Sequence, residues 1–122
     1  MNGIKYLVDT NFIIYLTQKR PSIEPFLEDY LAISFITEME LLGVFSISKA
    51  HKNNMQNLIN HCFVFEMNSF IKQEAIILKQ KYKLKLPDAI IAATSIHYNL
   101  PFISYDADFK NIKELELIFL EK

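Results

Sequence analysis

The sequence predicts an α/β fold in three layers, with a mainly parallel five-stranded sheet between two layers of helices. Short apolar runs alternate with longer segments whose apolar residues recur at helical spacing. Only two glycines and four prolines occur in 122 residues, so the connections between elements are short. Strands that alternate with helices favour parallel pairing, with helices covering both faces of the sheet.

Five apolar runs are the predicted strands. They cover residues 4–8, 31–35, 62–66, 101–104 and 115–120. In a parallel sheet, helices that follow a strand begin at its carboxyl edge, and ligands bind outside that edge.

The helices are predicted in the intervals between these strands. Their expected ranges are 10–18, 37–47, 50–61, a helix that Asn68 or Ser69 caps, and 88–98, with turns or short helices at 21–30 and 106–112. Residues 10–18 are apolar almost all round, which indicates burial on more than one side. Pro87 suits the first turn of the last helix, and Asn99 suits the left-handed position after its end.

Composition limits the class of protein. A chain of 122 residues with 51% hydrophobic and 22% charged residues is expected to form one folded domain over 1–122. The net charge of −1 argues against a protein that binds nucleic acid by charge neutralisation alone. With Cys62 as its single cysteine, no disulfide within the chain is expected, and the pattern favours a cytoplasmic protein without a membrane span or signal peptide.

Four acidic residues lie at predicted helix starts or strand ends: Asp9, Glu40, Asp88 and Asp106. Each has a structural explanation. Asp9 could cap the first helix, Glu40 could close a capping box with Thr37, Asp88 could stabilise a helix first turn, and Asp106 could close a turn.

The same four carboxylates are expected to converge, because the α/β layout places all of them at one edge of the sheet. Converging carboxylates repel one another, and a hard divalent cation removes that repulsion. All-oxygen ligation suits Mg²⁺ or Mn²⁺, and such a site supports phosphodiester hydrolysis.

Four motifs surround these acids and run through nearly the whole chain. They are LVDTNFIIYL at 7–16, TEMELLG at 37–43, LPDAIIAAT at 86–94 and ISYDADF at 103–109. In sequence and in order they resemble the motifs of the PIN-domain ribonucleases, and most closely those of the VapC-type toxins of bacterial toxin–antitoxin pairs.

The resemblance implies a PIN-like fold and a Mg²⁺- or Mn²⁺-dependent endoribonuclease that leaves a 5′-phosphate and a 3′-hydroxyl. It assigns Asp9 and Asp88 as main metal ligands, completed by Glu40 and Asp106, directly or through water. It also implies a homodimer and a cognate antitoxin protein that crosses the active site.

Further residues enter with less defined roles. Asp108 could share or replace the role of Asp106, because family members differ in spacing there. Thr10, Asn11 and Ser104 could hydrogen-bond the carboxylates, Ser104 standing where the family usually has threonine. Lys83 and Lys85 could guide RNA phosphates, although a solvated loop is the default interpretation of such a charge run.

Two other functions stay open from the sequence. A degenerate PIN-like domain would bind RNA or protein without cleavage, its acids serving only as caps. A phosphatase of the haloacid-dehalogenase type would use Asp9 as nucleophile, but it needs a second aspartate where this chain has Asn11.

Overall fold

The computed structural model describes residues 3–121, so the outermost three positions of the expected 1–122 domain lie outside it. Its elements alternate as predicted. Their bounds are β1 Ile4–Val8, α1 Thr10–Leu16, β2 Tyr30–Ser34, α2 Phe35–Leu42, α3 Lys49–Asn60, β3 Phe63–Phe65, α4 Ser69–Lys81, α5 Leu86–His97, β4 Phe102–Ser104 and β5 Leu117–Phe119. Short 3₁₀ helices occupy Glu24–Phe26 and Ala107–Asn111, where turns or short helices were predicted. Within the described residues, no helix is long and apolar enough to cross a membrane.

The five strands form one sheet in the order β3-β2-β1-β4-β5, and every neighbouring pair is parallel. The predicted α/β architecture is confirmed. From β1 the chain adds strands first on one side, through β2 and β3, and then on the other, through β4 and β5. The order therefore reverses between β1 and β4, where open parallel sheets leave a crevice for ligands.

Strand residues alternate between two separate hydrophobic cores, one on each face of the sheet. On β1, Leu7 joins the core under α4 and α5, whereas Val8 joins the core under α1 and α3. Phe102 and Ile103 of β4 divide in the same way. The helices thus cover both faces, as the three-layer prediction requires.

Helix α5 is the most deeply placed helix of the molecule. The seven residues from Ala89 to Ser95 are all buried, and the hydroxyl of Thr94 donates to the carbonyl of Ile90 at 2.8 Å, which satisfies it away from water. Pro87 lies in the first turn and Asn99 takes a positive φ of 54° just beyond the helix, both as predicted. A helix packed on all sides holds the residues of its first turn in fixed positions.

Helix α2 begins and ends earlier than the sequence suggested. Ser34 caps it, its hydroxyl accepting from the amide of Ile36 at 3.1 Å, so Phe35 is helical and does not belong to the strand. The helix ends at Leu42, where Gly43 forms the C-cap. A Cβ at Gly43 would lie 2.5 Å from the carbonyl oxygen of Met39, so this close approach requires glycine. The expected helix 37–47 was wrong at both ends.

Candidate metal centre

The candidate site is a cleft of about 250 Å³ at the carboxyl edge of the sheet, beside the crevice between β1 and β4. All four predicted acids line it. The complete lining is Asp9, Thr10, Asn11, Glu40, Asp88, Ile91, Asp106 and Phe109. Residues from six different elements or connections therefore meet where the topology predicts a ligand.

Asp9 is the most tightly held of the acids. It follows β1 directly and caps α1, its Oδ1 accepting from the amide of Phe12 at 2.8 Å. Its Oδ2 accepts from the Ser104 hydroxyl at 2.6 Å and from the Tyr105 amide at 3.1 Å. A carboxylate offers about four lone-pair positions, so three such bonds leave about one for a ligand in the cleft.

Burial raises the pKa of Asp9 above its usual range, and the nearby charge of Asp106 raises it further. The hydrogen bonds from Ser104, Phe12 and Tyr105 act in the opposite direction, because they stabilise the ionised form. Only 6% of the residue is exposed. The predicted capping role of Asp9 is thus real, and it coexists with a side chain directed at the cleft.

Ser104 joins two of the acids. Its hydroxyl donates to Asp9 and accepts from the amide of Asp106 at 2.9 Å, and the residue is fully buried at the end of β4. Asp106 in turn accepts from the amide of Asp108 at 2.9 Å and caps the 3₁₀ helix Ala107–Asn111. The turn role predicted for Asp106 is also real.

Glu40 does not close a capping box. Thr37 lies inside α2, not at its N-cap, because the helix already begins after Ser34. Glu40 instead accepts a hydrogen bond of 2.6 Å from the hydroxyl of Thr10 on α1. The hydroxyl oxygens of Thr10 and Thr37 lie 3.2 Å apart. Because Thr10 has a single hydroxyl proton and donates it to Glu40, Thr37 is the donor in this second hydrogen bond.

Asp88 lies in the first turn of α5 and is half-buried. Burial is the main cause that raises its pKa, and the charges of Asp106 and Glu40 add to it. The ammonium group of Lys85 lowers it in part. These couplings show that the carboxylates act on one another across the cleft.

Asp108 stands at the border of the cleft. Carboxylate oxygens of Asp88, Asp106 and Asp108 lie within 4.8 Å of one another, although Asp108 itself is exposed. The structure therefore brings both Asp106 and Asp108 to Asp88, but Asp106 alone of these two also lines the cleft with Asp9 and Glu40.

A second groove, of about 320 Å³, adjoins the cleft at Asp88. It is lined by Lys83, Leu84, Lys85, Asp88 and Asp108. The lysines predicted to guide phosphates thus lie beside the acids, on the loop between α4 and α5.

Other site residues have mixed outcomes. Asn11 lines the cleft, but among residues 3–121 its side chain makes no hydrogen bond within the usual limits. Sequence reasoning missed Ile91 and Phe109, which form an apolar wall. Ile91 lies three residues after Asp88, and Phe109 lies three residues after Asp106. Because residues three apart in a helix face the same side, this spacing could have predicted that both line the cleft.

All three histidines lie outside the cleft. His51 is in the first turn of α3, His61 caps its end, and His97 ends α5 with its ring stacked on Phe70. A nitrogen-rich metal site is therefore not part of this cleft, whose ionisable groups are all carboxylates.

Comparison with known proteins agrees with the motif resemblance. The family model of the PIN domain matches residues 6–115. A curated relative, Ribonuclease VapC21 of Mycobacterium tuberculosis, is 29% identical over 119 residues, with 88% of this chain and 86% of the relative covered.

Two solved structures have the same fold at appreciable sequence identity. A toxin-antitoxin complex from Klebsiella pneumoniae has a chain 31% identical to this one, with a TM-score of 0.81, covering 97% of this chain and 100% of that one. VapBC-1 from nontypeable Haemophilus influenzae has a chain 28% identical, with a TM-score of 0.78 and coverage of 95% and 97%.

Proposed function

The chain belongs to the PIN domain family, and from that premise we propose that it is a divalent-metal-dependent endoribonuclease, the toxin of a toxin–antitoxin pair. One observation carries the proposal: Asp9, Glu40, Asp88 and Asp106 line a single cleft although up to 97 positions separate them in sequence. Helix caps alone have no need to share a cleft. The name of the curated relative, a ribonuclease, supports RNA as the substrate.

The residues of the cleft fit Mg²⁺ or Mn²⁺. Two ligands on opposite sides of Mg²⁺ lie about 4 Å apart. Carboxylate oxygens of Asp88 and Asp106 in the cleft, and of Asp108 at its border, already lie within 4.8 Å of one another. All donors are oxygen. Burial is the main cause of the raised pKa values of Asp9 and Asp88, and neighbouring carboxylates, whose charge a cation would neutralise, raise both pKa values further.

In the proposed reaction, water attacks the scissile phosphorus and the bond to the 3′-oxygen breaks, which leaves a 5′-phosphate and a 3′-hydroxyl. A cation held in the cleft would lower the pKa of water and stabilise the charge that develops on the phosphate. Asp9 and Asp88 would hold it, Asp9 with the one lone-pair position left by its three hydrogen bonds.

Glu40 and Asp106 would orient the attacking water and accept its proton. Thr10 holds one oxygen of Glu40 at 2.6 Å, which leaves the other oxygen available to the cleft. Asp106 is fixed through its amide to Ser104 and through its Oδ1 to the amide of Asp108. Such prepositioned groups need little rearrangement during the reaction.

The antitoxin is the proposed protein partner. It is supported by the similar toxin-antitoxin complex of Klebsiella pneumoniae. The surface beside Glu40 is suited to a protein contact, because Met39, Val44 and Phe45 are exposed, Phe45 to 94%. We also propose a homodimer, for which exposed apolar residues on α4, including Phe70, Ile76 and Ile77, offer contact area.

The decisive test is to incubate purified, antitoxin-free protein with a broad panel of RNAs in Mg²⁺, in Mn²⁺ and in EDTA. Cleavage in either metal and its absence in EDTA are expected, with 5′-phosphate ends on the products. Intact RNA in every condition, from protein shown by circular dichroism to be folded, would contradict the enzymatic proposal and favour a binding domain.

A further inference from the structure

The groove beside the cleft offers the charges that a nucleic-acid backbone requires. Lys83 and Lys85 line it together with Asp88 and Asp108, and Asp88 also lines the cleft of the acids. The two depressions therefore adjoin each other at Asp88. A strand with its scissile phosphate at the acids would reach the lysines with a neighbouring phosphate.

The lysines near this groove divide into two groups. Lys79 donates to the carbonyl of Leu84 at 2.9 Å, and Lys81 forms an ion pair of 2.6 Å with Glu114. Within residues 3–121, neither Lys83 nor Lys85 forms an ion pair or a side-chain hydrogen bond, and both are exposed. Lys79 and Lys81 thus fix the loop, whereas the ammonium groups of Lys83 and Lys85 remain available to bind a ligand.

The loop that carries Lys83 and Lys85 is held at its start as well. The hydroxyl of Tyr82 donates to Glu114 at 2.6 Å and accepts from the amide of Lys113 at 3.1 Å. Pro87 and the buried helix α5 fix its other end. A braced loop loses little conformational freedom on binding, which favours a preformed phosphate site.

We propose that Lys83 and Lys85 bind the backbone phosphate next to the scissile one, so that the RNA strand leaves the acid cleft across the α4–α5 loop. This rests on the proposed ribonuclease function and assigns its substrate contact. The groove also contains carboxylates, Asp88 and Asp108, which repel phosphate. Strand binding is therefore expected to strengthen when a divalent cation neutralises those acids.

The test compares two double variants that remove the same charge. Lys83→Gln with Lys85→Gln changes the groove, whereas Lys49→Gln with Lys52→Gln changes two exposed lysines on α3, outside both depressions. Two measurements are made for each variant. The first is the salt dependence of kcat/KM on a single-stranded RNA. The second is the affinity for a fluorescent RNA, measured in Ca²⁺ in place of Mg²⁺ or Mn²⁺. Thermal unfolding of both variants checks that they fold.

The groove variant should raise KM about tenfold with kcat nearly unchanged, and weaken RNA binding by a similar factor. Its plot of log kcat/KM against log salt should be shallower by about 0.7 per lysine. The α3 variant should match the wild type in both. Hydrolysis of bis(p-nitrophenyl) phosphate, which is too small to reach the groove, should fall much less than RNA cleavage in the groove variant, because only the loss of the Lys85 charge near Asp88 acts on it. The α3 variant should hydrolyse it as the wild type does.

Equal KM, affinity and salt slope for the groove variant and the wild type would overturn the proposal. Weaker antitoxin binding with an unchanged RNA salt slope would also overturn it, because the lysines would then serve the protein partner. Failure of the wild type to cleave any RNA in Mg²⁺ or Mn²⁺ would instead contradict the proposed function. The affinity measurement still decides the role of the lysines in that case.

Discussion

The hydroxyl of Ser104 lies 2.6 Å from Oδ2 of Asp9, although the two residues are 95 positions apart. β1 and β4 are neighbours in the sheet, with Val8 paired to Ile103, so the residues that follow each pair meet at its edge. Ser104 also accepts from the amide of Asp106. One hydroxyl therefore sets the relative positions of two acids on which the proposed metal site depends.

We expect Ser104→Ala to lower unfolding free energy by about 1–2 kcal/mol, because it removes a buried hydrogen bond and leaves the Asp106 amide without its acceptor. Loss of the bond to Asp9 should raise the pKa of that carboxyl further. The acidic limb of the pH profile of kcat/KM should consequently move to higher pH. Denaturant unfolding and initial rates on RNA across pH measure the two effects.

Ser104→Thr is the matched control, since it keeps the hydroxyl while adding one methyl group. The pH profile should return to that of the wild type, even if the methyl costs about 1–3 kcal/mol in this fully buried position. An alanine variant with an unshifted profile would show that the hydroxyl does not tune Asp9.

Glu40→Gln should leave the unfolding free energy within about 0.5 kcal/mol of the wild type, because the side chain is exposed and caps no helix. RNA cleavage should fall by about 10²-fold or more, as expected when a group that orients the nucleophile loses its charge. Initial rates in Mn²⁺ and thermal unfolding of the same sample provide the comparison.

Thr10→Val tests how Glu40 is held. The variant removes the 2.6 Å bond to Glu40 but keeps the shape of the side chain. We expect a smaller loss of kcat than for Glu40→Gln. Combining both substitutions should add little to the effect of Glu40→Gln alone, because Thr10 acts through Glu40. Fully additive losses would place Thr10 in a separate role.

The sequence was sufficient to predict the strands and the convergence of the acids. Both depend on local signals, namely apolar runs and the residues that follow them, together with the general topology of parallel sheets. It failed at α2, where Ser34 and Thr37 are both acceptable caps and Thr37 with Glu40 fits the capping-box spacing. The sheet register decides between them, since Ser34 still pairs with Phe65 at the end of β2.

Long-range side-chain partners were likewise beyond sequence reasoning. Nothing in the charge run from Lys81 to Lys85 indicates that Glu114, 33 positions away, neutralises Lys81. The sequence suggested that Thr10 hydrogen-bonds one of the carboxylates, but not that its partner is Glu40 on a different helix. Such contacts depend on packing between elements, which local patterns do not specify.

A rise in pH should destabilise the metal-free protein through Asp88, whereas bound metal should stabilise the protein through the same residue. Its pKa is raised in the folded protein above the unfolded value of about 3.9. The folded state therefore binds more protons, and the contribution of Asp88 to stability decreases as pH rises from about 4 through the folded pKa. Above that pKa the ionised group destabilises the metal-free protein.

Asp88→Asn removes this ionisation and is expected to make the metal-free protein more stable than the wild type at neutral pH. The difference should disappear below about pH 4. Added Mg²⁺ or Mn²⁺ should stabilise the wild type at neutral pH, less so at acid pH, and the variant much less at any pH. Thermal melts in EDTA and in metal, across pH, would refute this if the two proteins responded alike.

Phe45→Ser should separate antitoxin binding from folding. The side chain is 94% exposed, so the substitution should change unfolding free energy by no more than about 0.5 kcal/mol and leave RNA cleavage intact. If the proposed antitoxin covers the surface beside Glu40, its affinity should fall at least about tenfold, because exposed aromatic residues often dominate such contacts.

Leu27→Ser, at an exposed position after the 3₁₀ helix Glu24–Phe26, is the control and should bind as the wild type does. The candidate antitoxin is the product of a reading frame adjacent to the gene for this chain, and calorimetric titration with it measures its affinity for each variant. Equal affinities for the two variants would place the antitoxin on another surface.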